Sequence, residues 1–565
     1  LYARLSALAR PATAFVSSPE PHTIGTFAKG KQLLAGNFLF AGYLVESPTG
    51  SPWDLPMPSQ GFAEELHGFA WLDDLAAVGD AEARAKAQAW VYDWITRYGR
   101  GAGDGWVPDL TGRRLIRWIN HAVFLLHGRE AEESRAFFKS LGRQTIFLSR
   151  CWSTTTRGLP RFEALTGLIY AGLALTGMEG RMAPAVKALA KECVSQIDAQ
   201  GGIPTRNPEE LLEVFTLLTW AAWALGEADR PAENDHLFAI ERIAHSLRAL
   251  RHSDGGLARF HGGGRGLEGK LDHALAASGV KPKQPGELSM GFARVAAGRT
   301  SLIVDARTPP IGPASGNAHA STCAFELTSG RRPLIVNCGS GAQFGADWHR
   351  AGRATPSHST LGIDGLSSAR LAMGRALDGR DVELLLDGPK DVPIQRTNIT
   401  DGARIEVAHD GYRLSHGLTH ARTLDLTVDG RGLAGEDMLL ALSAEDKKRF
   451  QRAMDNVALQ GIDFTLHFHI HPEVELSLDM GGAAVSLTAK SGEIWIFRHD
   501  GSAQITLEPS VYLEKGRLKP RATKQIVLSA RAMDYASRIR WSVSKAQDTP
   551  TGLRDLTRDD LPFEA

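Results

Sequence analysis

Along residues 1 to about 285 the apolar positions recur three to four apart. The segment 114–126, Arg-Leu-Ile-Arg-Trp-Ile-Asn-His-Ala-Val-Phe-Leu-Leu, shows this most plainly. That period is the mark of a helix with one buried face. It predicts helices over 62–98 (as two), 114–126, 130–151, 162–176, 183–200, 208–225 and 232–250. Pro208 ahead of Glu209 and Glu210 is a good first-turn pattern. Successive helices with short loops predict antiparallel hairpins, which can curl into an incomplete α/α toroid or another helical array. From about Gly291 the period changes. Short strand-like runs follow at 301–305, 323–327, 333–337, 382–386, 423–428, 464–471, 493–497 and 524–528, separated by Gly, Asp, Asn and Ser. Many short strands in series predict an antiparallel sandwich or two stacked sheets. The expected fold class is therefore α+β and multidomain: a helical domain over 1–285, a β-sandwich over 286–545 and a charged, loosely held tail over 546–565. The Gly- and Pro-rich stretch 251–290 reads as the connection, with Gly262 to Gly266 as a flexible piece of it.

The chain has 565 residues, enough for two or more domains, and Lys+Arg and Asp+Glu both number 64. This balance gives no global pull toward nucleic acid or a membrane surface, although a single cleft can still be locally basic. No apolar run is long enough to span a bilayer. Cys151, Cys193, Cys323 and Cys338 have no CxxC spacing, so a reducing compartment is the natural reading. No leader segment is visible, which favours the cytoplasm, but the chain opens at Leu1 without a methionine, which leaves room for a further N-terminal piece.

The most distinctive text is 316–365: Gly316-Asn317-Ala318-His319-Ala320-Ser321, then Asn337-Cys338-Gly339-Ser340-Gly341, Trp348, Arg353-Ala354-Thr355-Pro356-Ser357-His358-Ser359-Thr360-Leu361 and Asp364-Gly365. Histidines at strand ends beside Gly-rich turns are placed where a rigid scaffold displays chemistry. In order and spacing this text resembles the β-domain signature of the heparinase II/III-like polysaccharide lyases. His409-Asp410-Gly411-Tyr412 and His420-Ala421-Arg422 resemble a further family pattern. The resemblance implies an α/α toroid followed by a β-sandwich, with a long cleft between them. It also implies a structural zinc on His319, Asn337 and His358. Asn337 stands where the family has Asp, and a neutral amide is a weaker ligand than a carboxylate. A metal-free cluster in which the three side chains bond to one another remains the alternative.

A lyase acting on a uronate polymer must neutralise the carboxylate, remove the C5 proton and protonate the leaving oxygen. The family is described as using Asn or His, Tyr and His for this. Matched residue by residue, Asn317 stands at the β-domain His, Arg161 falls in the helical-domain Asn-His region, and Glu210 stands at the Tyr. Three readings stay open. A divergent lyase would use Arg161 or Arg206 as carboxylate clamp and Tyr412, His358 or His121 as proton carrier, with Asn317 and Glu210 beside them. A hydrolase would use Glu163, Glu209 or Glu210 as acid and base. A non-catalytic relative would bind acidic glycans only.

Arg113, Arg114, Asn120 and His121 on one helix, together with Arg206, Trp152 and Arg353, are candidate contacts to an acidic polysaccharide or oligosaccharide. Trp53 and Trp106 fall near loops and join the same list, whereas Trp118 in an apolar helix reads as core. His467, His469 and His471 share one strand face and form a weaker metal candidate. A homodimer is compatible with exposed strand edges in the β half.

Overall fold

The computed structural model describes residues 2–6, 12–17, 21–283, 286–376 and 379–546. Nearly all of the expected tail, 547–565, lies outside the described residues, as do residues 284 and 285 at the expected boundary.

The helical half is built from Gln60–Gly68, Trp71–Val78, Ala81–Tyr98, Pro108–Asn120, Ala131–Cys151, Leu159–Ala174, Met182–Gln196, Pro208–Glu227 and Asn234–Ala249. The stretch 62–98 holds three helices rather than two, because Phe69 and Gly79 turn left-handed and end the first two. The helix expected from 114 begins at Pro108, whose missing N–H costs nothing in a first turn, and breaks at His121. The Pro108 and Leu159 helices cross at glycine: a Cβ on Gly167 would stand 2.5 Å from the Gly112 Cα. A hairpin that the pattern did not announce, Asn37–Phe40 with Tyr43–Glu46, also belongs to this half.

The β half stacks two antiparallel sheets. One runs Ile394–Ile399, Gly402–Tyr412, Leu418–Thr427, Gly432–Leu440, Ala536–Lys545, Ile494–His499, Ala484–Ala489, Val474–Asp479. The other runs Gln504–Tyr512, Arg521–Ala532, Ile462–Ile470, Arg332–Val336, Phe325–Ser329, Thr300–Asp305, Phe292–Ala297. The sandwich core carries Phe325, Phe468, Phe497 and Trp541, with the Phe325 and Trp541 rings stacked 5.6 Å apart. The helical core continues into the β half through Phe292, Ile303 and Ala324, so the two halves share apolar packing. Among the described residues no helix is long and apolar enough to cross a membrane.

Candidate functional site

The halves are joined by a buried polar chain. Asn207 caps the Pro208 helix, its side-chain oxygen accepting from the Glu209 and Glu210 amides at 3.0 and 3.1 Å. The preceding residue, Arg206, is bent into the left-handed region at φ 51°. Its guanidinium crosses to the β half, donating to the Met290, Gly291 and Thr308 carbonyls and pairing with Asp305 at 2.7 Å. Asp305 also accepts from the Ser321 hydroxyl, and His261 Nε2 stands 3.3 Å away. His261 is left-handed too, at φ 48°. Its Nδ1 accepts the His319 backbone N–H, and His319 Nδ1 lies 2.9 Å from His358 Nε2. Burial opposes the charge on Asp305, but Arg206, His261 and Ser321 together hold its carboxyl well below the usual range. Desolvation keeps His319 and His358 neutral, the latter at about 3. Left-handed side chains cost about 1–2 kcal/mol each, so this chain is what holds the bends in place.

Beside this junction the two halves set charged side chains near one another, in the region where the resemblance expects a cleft. On the helical side Arg113 Nε donates to Glu163 Oε1 at 2.6 Å, with Asp109 one turn back at 4.0 Å. Glu163 is 8% exposed and its second oxygen has no protein partner. Desolvation lifts its carboxyl to about 7 in spite of Arg113. Glu65 is exposed, yet desolvation holds its carboxyl above the ordinary value against the Ala41 amide and the Lys29, Arg113 and Lys515 charges. At the head of the Pro208 helix, Glu210 accepts from the Thr205 hydroxyl at 2.9 Å and is likewise raised by burial. Glu209 takes the Gly264 amide at 2.8 Å and an ion pair from Lys515 of the β half. Burial works against the Glu209 charge, but Lys515 and the Gly264 amide bring its carboxyl below the ordinary value. Lys515 is 47% exposed on the turn between the last strands of its sheet. The same turn is held by Gln343, whose amide donates to the Glu514 carbonyl, and the Gln343 backbone packs against the hairpin glycine Gly42. Asn317 is exposed and comes to the same corner: a Cβ on Gly262 would lie 3.0 Å from the Asn317 Cβ. The Gly262–Gly264 run is therefore not a loose connection. Gly262 and Gly263 are buried and allow close approach to Asn207 and Asn317.

Other expected site residues serve the framework instead. Tyr412 is 1% exposed in the sandwich core, and its hydroxyl donates to the Leu361 carbonyl at 2.9 Å. Burial raises its pKa, so it is a poor proton carrier. Arg161 binds the Ser153 and Thr155 carbonyls and lies 3.6 Å from Glu192. Arg114 is fully buried, bonded to Gln144 and stacked 4.1 Å from the Trp94 ring. Arg206 and His358 belong to the junction already described. Arg353 is buried and binds the Ser315 and Ala318 carbonyls, so it shapes the Asn317 loop from behind rather than facing a ligand. His121 bonds Asp73 at 2.8 Å. Asn120 is buried with neither amide atom partnered. Trp152 is half-buried against the helical core, Trp53 is buried with its N–H on the Trp90 carbonyl, and half-buried Trp106 bonds the Tyr98 carbonyl. Of the expected groups, the structure pairs Arg113 with Glu163 on the helical side and gathers Glu209, Glu210 and Asn317 around the head of the Pro208 helix. It does not bring Tyr412, Arg114 or Arg353 to that surface. Asp305, His261, Glu65 and Lys515 were not expected, because single charged residues carry no spacing signal.

The expected zinc set fits poorly. His358 Nδ1 is turned to the Ala354 carbonyl, which leaves Nε2 to accept from His319. Asn337 spends its oxygen on the Ser359 amide rather than turning it to the imidazoles. The expected three-membered cluster is not met either: His319 and His358 bond to each other, while Asn337 bonds Ser359 and Glu326. A second buried group, Cys323, His409 and His420, has ligand atoms within 4.8 Å of one another. There His409 Nδ1 accepts the Gly411 amide, so Nε2 carries the proton and faces His420 Nδ1 at 3.3 Å. His420 Nε2 is then free to donate to Asp437 at 2.7 Å. The proton chain closes without an ion, and a metal on His409 Nε2 would displace the proton that the Gly411 contact requires. His467 and His469 are bonded to Gln525, Thr465, Ser510 and the Pro356 carbonyl, as framework.

A family model described as "Heparinase II/III-like, C-terminal" matches residues 283–542. The FtsZ-localized protein C of Caulobacter vibrioides is 32% identical over 558 residues, covering 96% of this chain and 92% of that protein. A crystal structure of heparinase III superposes with TM-score 0.68 at 13% identity, covering 96% of this chain and 88% of that one. The chondroitin AC lyase of Streptomyces coelicolor, solved with chondroitin sulphate, gives TM-score 0.53 at 12% identity over 96% and 82%. At such identities the likeness to the two lyases is one of fold.

Proposed function

The chain belongs to the heparinase II/III-like family, and from that premise we propose that it grips a glycan strand in the cleft between its halves without eliminating across it. One observation carries this reading: the positions that the resemblance gives to the proton-transfer His and Tyr hold Asn317 and Glu210. Asn317 stands at the position the family resemblance gives to His, and an amide cannot shuttle a proton. Glu210 stands at the Tyr position, and the substitute tyrosine, Tyr412, is sealed in the sandwich with its hydroxyl on the Leu361 carbonyl. The test is affinity electrophoresis of the full chain through gels carrying different glycans. Retention by at least one glycan, lost in Asn317→Ala, is expected; free migration through every gel contradicts the reading.

The relative named for FtsZ localisation supplies a setting. We propose that this chain too collects with FtsZ, in the cytoplasm. Four buried, unpaired cysteines suit a reducing compartment. A fluorescent fusion should concentrate where FtsZ does, and a diffuse signal would contradict it.

A second reading, hydrolysis, is favoured by Glu163. A carboxyl at about 7 with one unpartnered oxygen is suited to general acid work. New reducing ends that vanish in Glu163→Gln would move the proposal there.

A further inference from the structure

The helix Asn234–Ala249 leaves two large apolar side chains open to water, Leu237 at 45% and Phe238 at 54% exposure. Between this helix, the far end of the Pro208 helix and the segment 277–283 lies a cavity of about 720 Å³. A second cavity, of about 580 Å³, shares Glu241, His245 and Lys283 with it and runs on to Ser289. Both lie away from the Glu209 and Glu210 turn, because the Pro208 helix lines the larger one with Thr219, Ala222 and Trp223.

The walls of the larger cavity are fixed in advance. Trp223 is set by His22, whose ring lies edge-on to it with centroids 3.8 Å apart. Val280 is pinned at both ends of its peptide: Arg248 donates to its carbonyl, and its own amide donates to the Ser278 hydroxyl at 3.3 Å. With Leu237, Ile240 and Ala277 these side chains make a mostly apolar lining. A preformed apolar cavity of this size with a few charged groups beside it is the usual form of a small-molecule site.

The charged groups define the ligand. Lys281 and Lys283 belong to the lining, are exposed, and have no partner among the described residues. Glu241, the one carboxylate lining the larger cavity, is 59% exposed and therefore well screened by water. Across both cavities Lys281, Lys283 and Arg242 stand against Glu241 and Glu287. So small an excess of basic charge suits one anionic head group. It does not suit a bilayer surface, which takes clusters of about four or more basic residues.

We propose that this cavity binds a small amphipathic anion, a single apolar chain ending in a carboxylate, taken up from solution. Lys281 and Lys283 would receive the carboxylate, and Trp223, Ile240 and Val280 the chain. The site is separate from the glycan reading and does not depend on it.

The test is calorimetric titration of the full chain with dodecanoate and with dodecyltrimethylammonium, each below its micelle concentration, beside sedimentation with phosphatidylglycerol vesicles. Dodecanoate should saturate a single site, and the cationic amphiphile should bind at least about tenfold more weakly. Lys281→Glu/Lys283→Glu should weaken dodecanoate about tenfold. Ala277→Trp, which fills the cavity from an exposed position, should abolish its binding. Glu475→Gln, on an edge strand of the β half, serves as the control and should change nothing. Equal binding of the two amphiphiles would overturn the assignment of the lysines. Dodecanoate binding untouched by Ala277→Trp would overturn the site, and no dodecanoate binding would overturn the proposal outright. Sedimentation with vesicles that is lost in the lysine double variant, without dodecanoate binding, would replace the dissolved ligand with a membrane surface. Unchanged melting of each variant separates these results from misfolding.

Discussion

The junction and the cleft lie side by side, share the head of the Pro208 helix, and treat charge in opposite ways. In the junction every charge has a partner: Arg206 meets Asp305 with four further polar contacts around them. In the cleft the carboxylates outnumber the cations, and three of them are raised by desolvation. The contrast separates framework from function. Satisfied buried charge fixes two bodies in one arrangement, whereas unsatisfied partly wet charge is a standing capacity to bind. The text that the sequence singles out as chemistry, around His319 and His358, has become framework. Its neighbour Asn317 remains at the surface.

The sharpest way to break this contrast is to cut the junction. Arg206→Ala leaves Asp305 buried and unpaired, and should cost about 3–5 kcal/mol in denaturant unfolding. A loss below about 1 kcal/mol would mean that the pin is not what holds the halves.

Acid should separate the regions next. His319 and His358 are neutral when folded, with pKa values below the ordinary 6.5. The unfolded chain therefore binds more protons below 6.5, and their contribution to stability falls as pH drops from 6.5 toward about 3. Glu163 behaves oppositely. Its folded pKa of about 7 exceeds the ordinary 4.5, so stability from this site falls as pH rises between those values. Glu163→Gln should remove the fall in stability between about 4.5 and 7 and leave the profile below 4.5 as it was.

Tyr412→Phe removes one buried hydrogen bond to the Leu361 carbonyl. A loss of about 1 kcal/mol with glycan binding unchanged is expected. A loss of binding without loss of stability would return Tyr412 to the cleft. Smallest is Lys515→Ala, which breaks a half-exposed pair and should shift stability by less than about 1 kcal/mol.

Periodicity made the architecture legible, because a helix and a half-buried strand each stamp their own spacing on the apolar residues. It missed the break at Phe69, where a non-glycine residue turns left-handed at φ 61° without a local signal. The site was less legible. Asn317, Glu209 and Glu210 were found through their positions in the resemblance. Residue type alone does not distinguish an arginine bound to backbone carbonyls, as Arg206 and Arg353 are, from one facing a ligand, nor a tyrosine sealed in a core, as Tyr412 is, from one at a surface. Lys515 and Asp305 depend on contacts between residues far apart in the chain, Lys515 with Glu209 and Asp305 with Arg206. No spacing rule reaches across such separations.

The measurement that bears most directly on the central claim is ultraviolet absorbance of the full chain with a panel of uronate glycans. Elimination creates a C4–C5 double bond that absorbs. With Asn317 in place of the histidine and Tyr412 buried, the trace should stay flat at every protein concentration. A rise proportional to protein and abolished by Asn317→Ala would contradict the account and make this chain a working lyase.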